Sequence, residues 1–261
     1  MNISLKSKRA LVGGSSKGLG NAVANQLAMS GAQVTLVARD EELLIKNVKE
    51  LNKKTDLTHD YLVVDYNDFN QYQIKIKEYF SLNPVDILVN NTQGPISGDV
   101  MNVSLEDYQN SFDLLFKNVV YTTMLALKNM KKNKWGRIIN MTSVSVKEPL
   151  SYLALSNTIR SSVTTWGKTL ANDIGSNNIT VNNILTGYFN TERINELNFE
   201  KSKKLNIKIE EVFSAMENLV PLKRIGDPKE FAYLVTFLAS DQASYINGVN
   251  IPIDGGLLKS L

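Results

Sequence analysis

The amino-acid sequence predicts an α/β fold: a doubly wound, Rossmann-like parallel sheet of about seven strands with helices on both faces. Apolar strand-like runs alternate with amphipathic helical segments along the whole chain, which is typical of such a sheet. Runs such as Val34–Ala38 are continuously apolar, as in strands buried on both faces. The first strand leads into a turn containing Gly14, Gly18 and Gly20, and then into a helix. Because no repeat or linker divides the chain, residues 1–261 are expected to form a single domain.

The individual elements are predicted from apolar periodicity and from helix start signals. Strands are expected at Arg9–Gly13, Val34–Ala38, Tyr61–Val64, Asp86–Asn90, Gly136–Met141, Ile179–Leu185 and Val249–Ile253. Helices are expected at about 18–30, 40–54, 68–82, 104–133, 151–174 and 227–239. Ser104 is a capping residue with two acids in the following turn, and Pro228 stands at a first helical position. Residues 191–220 are polar and helical without a strand pattern.

Composition narrows the classes of function. The net charge of +3 is small and scattered, so nucleic acid is not an expected partner. No apolar run reaches the ~18 residues of a membrane span, and residues 1–8 lack the apolar core of a signal peptide. We therefore expect a cytoplasmic protein that does not bind a membrane. The chain has no cysteine, and its one histidine, His59, is expected in a solvated loop. Neither thiolate chemistry nor a metal site is expected.

The glycine turn predicts a site for a dinucleotide. With so little side chain, the turn lets a pyrophosphate approach the backbone where unpaired N–H groups and the helix dipole favour an anion. The turn residues expected to bind it are Gly14, Ser16, Lys17, Gly18 and Leu19.

Two cations near this turn favour NADP(H) over NAD(H). Strand two ends in Arg39, where an acid would instead accept a hydrogen bond from the ribose 2′-OH. Lys17 could add a second positive charge beside a 2′-phosphate. The alternative is that both are solvated surface cations. Asp65, which ends strand three, could bind the adenine amino group or could only cap its strand.

These residues resemble the short-chain dehydrogenase/reductase family over nearly the whole chain. Residues 12–20 are similar to its Thr-Gly-x-x-x-Gly-x-Gly motif, with Gly13 in place of Thr. Asn90–Gly94 resembles its Asn-Asn-Ala-Gly, and residues 180–187 with Thr191 resemble the segment that closes over nicotinamide. Residues 241–248 and 254–256 are similar to its C-terminal segment.

The resemblance implies further site residues and an assembly. It implies that Asn91, Gly187 and Thr191 bind the cofactor, and that residues 191–220 form a substrate lid. It also implies a homotetramer or homodimer built on the two long helices. Within the family, the sequence is similar to a divergent group near the 3-oxoacyl-carrier-protein reductases, so a carbonyl or acyl-thioester substrate is expected.

The catalytic motif of this family is altered here. Its Lys lies ten residues before the Leu of a Thr-Lys-x-Leu-Ala segment, and counting back from Leu170 reaches Arg160. The Tyr position is then Ser156 and the Ser position is Ser143. Arg160 keeps the positive charge at the ribose, but Ser156 is far less acidic than a tyrosine. The position of the family's helix-four Asn depends on the reference residue. Counting from Phe112 gives Asn118, and counting back from Met130 and Gly136 gives Leu114 or Leu115.

Three interpretations follow. In the first, the protein reduces a carbonyl and takes its proton from Tyr188, Tyr152 or a water chain, while Ser143 polarises the substrate. In the second, it binds NADP(H) without efficient turnover, as a sensor or scaffold. In the third, the substrate carries its own acid.

Overall fold

The computed structural model describes residues 3–260, so Met1, Asn2 and Leu261 of the predicted domain lie outside the described residues. Within that range the strands are β1 (Arg9–Gly13), β2 (Gln33–Ala38), β3 (Asp60–Val63), β4 (Ile87–Asn90), β5 (Gly136–Met141), β6 (Ile179–Thr186) and β7 (Asn250–Ile253). They form one sheet in the order β3-β2-β1-β4-β5-β6-β7, and each neighbouring pair is parallel. The predicted doubly wound sheet is confirmed.

The helices cover both faces of this sheet. They are α1 (Gly18–Met29), α2 (Glu41–Lys54), α3 (Phe69–Leu82), α4 (Leu105–Phe112), α5 (Asn118–Asn133), α6 (Ala154–Ile174), α7 (Glu192–Leu205), α8 (Ile209–Leu219) and α9 (Pro228–Leu238). One apolar cluster packs α1, α2 and α9 against one face, and a second packs α3, α5 and α6 against the other. The direction of winding reverses between β1 and β4, which is where ligands bind in such sheets.

One predicted helix is interrupted, and the start of another was wrong. The expected helix 104–133 is interrupted by a π-helical turn at Asp113–Lys117, between α4 and α5. The Asn118 side chain, just after that turn, donates to the Leu114 carbonyl oxygen at 3.1 Å. The helix expected from about residue 151 begins only at Ala154. Tyr152 therefore lies in the turn before α6 rather than on the helix.

An asparagine ladder crosses the second half of the sheet. Asn90, Asn140, Asn183 and Asn250 are direct neighbours in β4, β5, β6 and β7. Their side-chain amides form consecutive hydrogen bonds of 2.8, 2.9 and 2.8 Å. Gly167 of α6 leaves the necessary room, because a Cβ there would lie 2.8 Å from the Asn183 Oδ1. The ladder fixes the register of the strand ends that carry the site.

His59 is buried, so its expected place in a solvated loop was wrong. Only 3% of the residue is exposed. Its Nδ1 accepts a hydrogen bond from the Val34 N–H at 3.1 Å, so the proton is on Nε2, which lies 2.8 Å from the Thr55 Oγ1. Burial lowers the pKa of His59. The polar neighbours in the sequence hid this role, in which His59 ties β2 to the loop before β3.

Within residues 3–260, no helix is long and apolar enough to cross a bilayer. The same residues contain no group of three or more histidine, aspartate or glutamate side chains placed to hold a metal ion.

Candidate active site

The glycine turn between β1 and α1 is shaped so that larger residues would not fit. Gly14 and Gly18 have φ angles of +55° and +60°, which side chains rarely adopt. A Cβ on Gly20 would lie 2.2 Å from the Gly14 carbonyl oxygen. The Asn91 side chain, from the end of β4, donates to the Gly13 and Gly14 carbonyl oxygens at 3.0 and 3.3 Å. The turn is thus held open as a cradle of backbone.

The N-terminus of α1 is suited to bind an anion. Lys17 is the residue before the helix, and its side chain makes no capping hydrogen bond. The first turn of α1 contains no acidic residue. The first N–H groups of a 12-residue helix therefore face a glycine cradle with the positive end of the helix dipole behind them. This arrangement fits the pyrophosphate of a dinucleotide.

A cleft of about 590 Å³ opens above this cradle. Ten of the eleven residues predicted to bind the cofactor line it. They are Gly14, Ser16, Lys17, Gly18, Leu19, Arg39, Asp65, Asn91, Gly187 and Thr191. Arg160 is the exception. The cleft is also lined by residues that were not predicted as cofactor contacts: Thr92–Ile96, Phe189, Arg193 and Glu196. Of these, Thr92–Gly94 belong to the motif noted after β4, and Arg193 and Glu196 belong to the segment 191–220.

Arg39 and Asp65 lie at the same end of the cleft, because β2 and β3 are adjacent. Arg39 is exposed there, just after β2. The Asp65 Oδ1 accepts hydrogen bonds from the backbone N–H and side-chain amide of Asn67, at 2.9 and 3.0 Å. Asp65 therefore holds its own loop as well as lining the cleft.

The segment after β6 carries the other wall of the cleft. The Gly187 N–H donates to the Ile253 carbonyl oxygen at 3.0 Å, and a Cβ on Gly187 would lie 2.6 Å from the Asp254 Cα. The Thr191 Oγ1 accepts the Ile194 N–H and begins α7. Residues 192–219 then form the two helices α7 and α8.

An ion pair that the sequence did not reveal joins this wall to the glycine turn. The Lys17 Nζ lies 2.6 Å from the Glu192 Oε2. This hydrogen bond raises the pKa of Lys17, and the charges of Glu196 and Asp40 add to the effect.

Ser143, Ser156 and Arg160 are brought to the end of β5. The Arg160 Nη1 donates to the carbonyl oxygen of Met141, two residues before Ser143, at 2.9 Å. Burial lowers the pKa of Arg160 to about 10, so the guanidinium remains charged at neutral pH. Ser156 is buried one turn earlier on α6. The Ser143 Oγ accepts the Ser145 N–H at 3.1 Å and caps a short turn.

Burial is the main cause that raises the pKa of Tyr188 to about 12, and the neighbouring Tyr152 hydroxyl adds to the effect. Tyr188 therefore stays protonated near neutral pH. Tyr152 is half exposed, and its carbonyl oxygen accepts the Gly98 N–H at 3.0 Å. The two neighbouring tyrosines thus link the loop after β6, the turn before α6 and the loop after β4.

Asn118 lies behind the cleft rather than in it. Its side chain donates to the Tyr66 carbonyl oxygen at 2.8 Å, and its Oδ1 is buried without a hydrogen-bond partner. It lines a separate cavity of about 20 Å³ beside Asn90 and Asn91.

Comparison with known proteins identifies the family. The sequence model of the family described as Enoyl-(acyl carrier protein) reductase matches residues 14–258. The chain belongs to the short-chain dehydrogenase/reductase family. The match begins at Gly14 and ends beyond Gly256, so it includes most of the glycine turn, the end of β5 and residues 191–220.

Among the relatives of this short-chain dehydrogenase/reductase is the NADPH-dependent reductase BacG of Bacillus subtilis. It is 30% identical over 98% of this chain and 100% of its own. The 3-oxoacyl-[acyl-carrier-protein] reductase FabG of Buchnera aphidicola is 30% identical over 97% of this chain and 98% of its own. The structure of L-sorbose reductase from Gluconobacter frateurii, complexed with NADPH and L-sorbose, covers both chains fully with a TM-score of 0.94 and 28% identity. The chain is thus an NAD(P)-dependent oxidoreductase of this family.

Proposed function

We propose that this short-chain dehydrogenase/reductase uses NADP(H), in preference to NAD(H), to reduce a small-molecule carbonyl or acyl-thioester compound. The observation that carries the proposal is the joint position of the open α1 N-terminus and Arg39 in one cleft. A guanidinium at the end of β2 matches a 2′-phosphate, whereas a carboxylate there would match a free 2′-OH. The names of BacG and of the L-sorbose reductase complex, both of which specify NADPH, support the same choice.

The remaining cofactor contacts are proposed from the lining of the cleft. Gly14, Ser16, Gly18 and Leu19 would hold the pyrophosphate on backbone N–H groups, and Lys17 would stand beside Arg39. Asp65 would meet the adenine, while Asn91, Gly187 and Thr191 would hold the nicotinamide half. Arg160 would hold the ribose, next to the end of β5.

When bound, the nicotinamide supplies the hydride. On the substrate side, Ser143 would donate a hydrogen bond to the carbonyl oxygen. Ser156 stands where we place the family's tyrosine. Its alkyl hydroxyl is a much weaker acid than a phenol, so it would contribute a hydrogen-bonding group but not the proton. Tyr188 would supply the proton, as the tyrosine that directly follows Gly187 of the cleft wall. Its pKa of about 12 keeps it protonated at neutral pH but makes it a weaker acid than an unperturbed tyrosine, so we expect slow turnover.

Asn118 has a supporting role in this proposal. It would brace the end of β3 against the π-helical turn through its bond to the Tyr66 carbonyl oxygen. We also propose that residues 1–261 act as one domain with 191–220 as the substrate lid, in a cytoplasmic homotetramer or homodimer.

The test is turnover. NADPH oxidation is followed by absorbance across acetoacetyl thioesters, diketones, sugars and aldehydes, with NADH in parallel. We expect at least one carbonyl class to be reduced, with a higher kcat/KM for NADPH than for NADH. Equal use of NADH would contradict the proposed cofactor.

A second function is favoured by one observation: the Arg160 guanidinium is bonded to the protein's own backbone. In our assignment, Ser156 and Arg160 stand where the family has its tyrosine and lysine. The chain would then bind NADP(H) without efficient turnover, as a sensor or scaffold. The double variant Ser156→Tyr/Arg160→Lys separates the two functions. Turnover that appears only in the double variant supports the sensor or scaffold, and turnover by the wild type supports the reductase.

A further inference from the structure

The strongest unexplained feature of the cleft is the ion pair between Lys17 and Glu192. It joins the glycine turn to the first residue of α7, two segments far apart in the sequence. Both side chains line the cofactor cleft. The methyl carbon of Thr191 would lie 3.6 Å from a Cβ on Gly18, so the start of α7 rests directly on the turn.

The Lys17 ammonium has three N–H donors, but a phosphate that binds it beside the Glu192 carboxylate would be repelled by that negative charge. Its ammonium is 2.6 Å from the Glu192 carboxylate, and the charge of Asp40 also acts on it. Lys17 and Arg39 both line this cleft. A phosphate placed between these two cations would meet Glu192 as a competing anion.

We propose that Glu192 is a specificity-determining residue, which occupies Lys17 in the free protein and must give it up when the 2′-phosphate of NADP(H) binds. The inference rests on the proposed preference for NADP(H). It adds that Glu192 makes this preference weaker than it would otherwise be. Glu192 is well exposed, so its carboxylate can turn into water when it leaves Lys17. Its competition acts only on a ligand that brings a phosphate to Lys17.

The variant Glu192→Gln tests this directly in the full chain. Binding of NADPH and NADH is measured by fluorescence titration at low salt, and binding of 2′,5′-ADP and 5′-AMP by calorimetry. We expect NADPH and 2′,5′-ADP to bind about two- to five-fold more tightly, which is the range that an exposed ion pair allows. NADH and 5′-AMP should bind as before. The gain should disappear at high ionic strength.

Glu196→Gln is the matched control. It removes the same charge from the same helix and the same cleft, but the carboxylate of Glu196 is paired with Arg193 rather than with Lys17. Its effect on NADPH should be smaller than that of Glu192→Gln. In a Lys17→Met background, Glu192→Gln should give no gain.

The outcomes separate the two proposals. If the wild type prefers NADPH and Glu192→Gln leaves or weakens its affinity, the role of Glu192 is refuted and the proposed function stands. If the variant gains equally for NADPH and NADH, Lys17 meets the pyrophosphate and the assignment to the 2′-phosphate is wrong. A wild type without any preference for NADPH refutes the proposed cofactor and this inference together.

Discussion

The two ends of the site are built by different means. The nucleotide end, comprising the glycine turn, Arg39 and Asn91, depends on backbone geometry that only certain residues allow. Gly14 and Gly18 have positive φ angles, and Gly20 has no room for a Cβ. The reaction end, comprising Ser143, Ser156, Arg160 and Tyr188, depends on side-chain chemistry placed on an ordinary strand end and helix. Substitutions in the glycine turn would therefore distort the nucleotide end. At the reaction end, the residue that donates the proton can differ without a change in the fold.

This difference would explain how the chain keeps the family's fold with Ser156 and Arg160 at the positions that we assign to the family's tyrosine and lysine. The asparagine ladder fixes β4 to β7 whatever residues follow their ends. Ser156 is accommodated in a buried position of α6, and Arg160 finds a backbone acceptor at Met141. Conservation of the scaffold is therefore no guarantee of the usual proton donor.

The largest effect should come from Gly18→Val at the nucleotide end. A β-branched residue with a φ of +60° is strained, and its methyl groups would crowd the Thr191 side chain, which lies 3.6 Å from the Cβ position. We expect NADPH affinity to fall by at least about 100-fold in a fluorescence titration. Gly31→Val is the matched control, because Gly31 also has a positive φ but does not line the cleft. That variant should lose stability but bind NADPH normally, and unchanged binding by Gly18→Val would contradict the cradle.

At the reaction end, the corresponding test is Tyr188→Phe. Loss of a positioned proton donor typically lowers turnover by about 100-fold or more. We expect kcat to fall by that factor while the Kd for NADPH stays the same, since Tyr188 is not a cofactor contact in the proposal. Tyr245→Phe, on a fully exposed tyrosine, controls for loss of a hydroxyl. Full activity in Tyr188→Phe would transfer the role to Tyr152 or to water.

The variant Arg39→Asp tests whether the nucleotide end selects NADPH over NADH. The exchange removes a charged hydrogen-bond donor for the 2′-phosphate and offers a carboxylate to a 2′-OH. We expect NADPH to bind roughly 10- to 100-fold more weakly and NADH to bind equally well or better. Lys49→Asp, on the exposed face of α2, makes a similar charge change outside the cleft. An unshifted ratio of the two affinities would mean that Arg39 is only a solvated cation.

The same division decides what could be predicted from the sequence. The strand alternation and the glycine spacing have a local cause, so the sheet could be predicted from them, and ten of the predicted residues line one cleft. The π-helical turn at Asp113–Lys117 could not be predicted, because five residues are too few to show a hydrophobic periodicity different from that of the flanking α-helices. Nor could the Lys17–Glu192 pair or the Tyr188–Tyr152 pair, since each joins segments that only the folded chain brings together.

The smallest expected effect concerns His59, which is part of the β2–β3 side of the sheet beside the nucleotide end. Burial lowers the pKa of His59 in the folded protein, so between that value and the ordinary pKa of about 6.5 the unfolded chain binds more protons. The free energy of unfolding should therefore fall as the pH drops below about 6.5.

Urea unfolding at several pH values gives the free energy of unfolding as a function of pH. Its decrease below pH 6.5 should be smaller in His59→Gln, because residue 59 then carries no titratable group. Native-state hydrogen exchange should place the acid-induced loss of protection in β2 and β3 rather than in β5 and β6. If the free energy of unfolding falls equally with pH in both proteins, the buried imidazole of His59 does not cause the loss of stability in acid. In that case the acid sensitivity of the nucleotide end would have to come from its carboxylates.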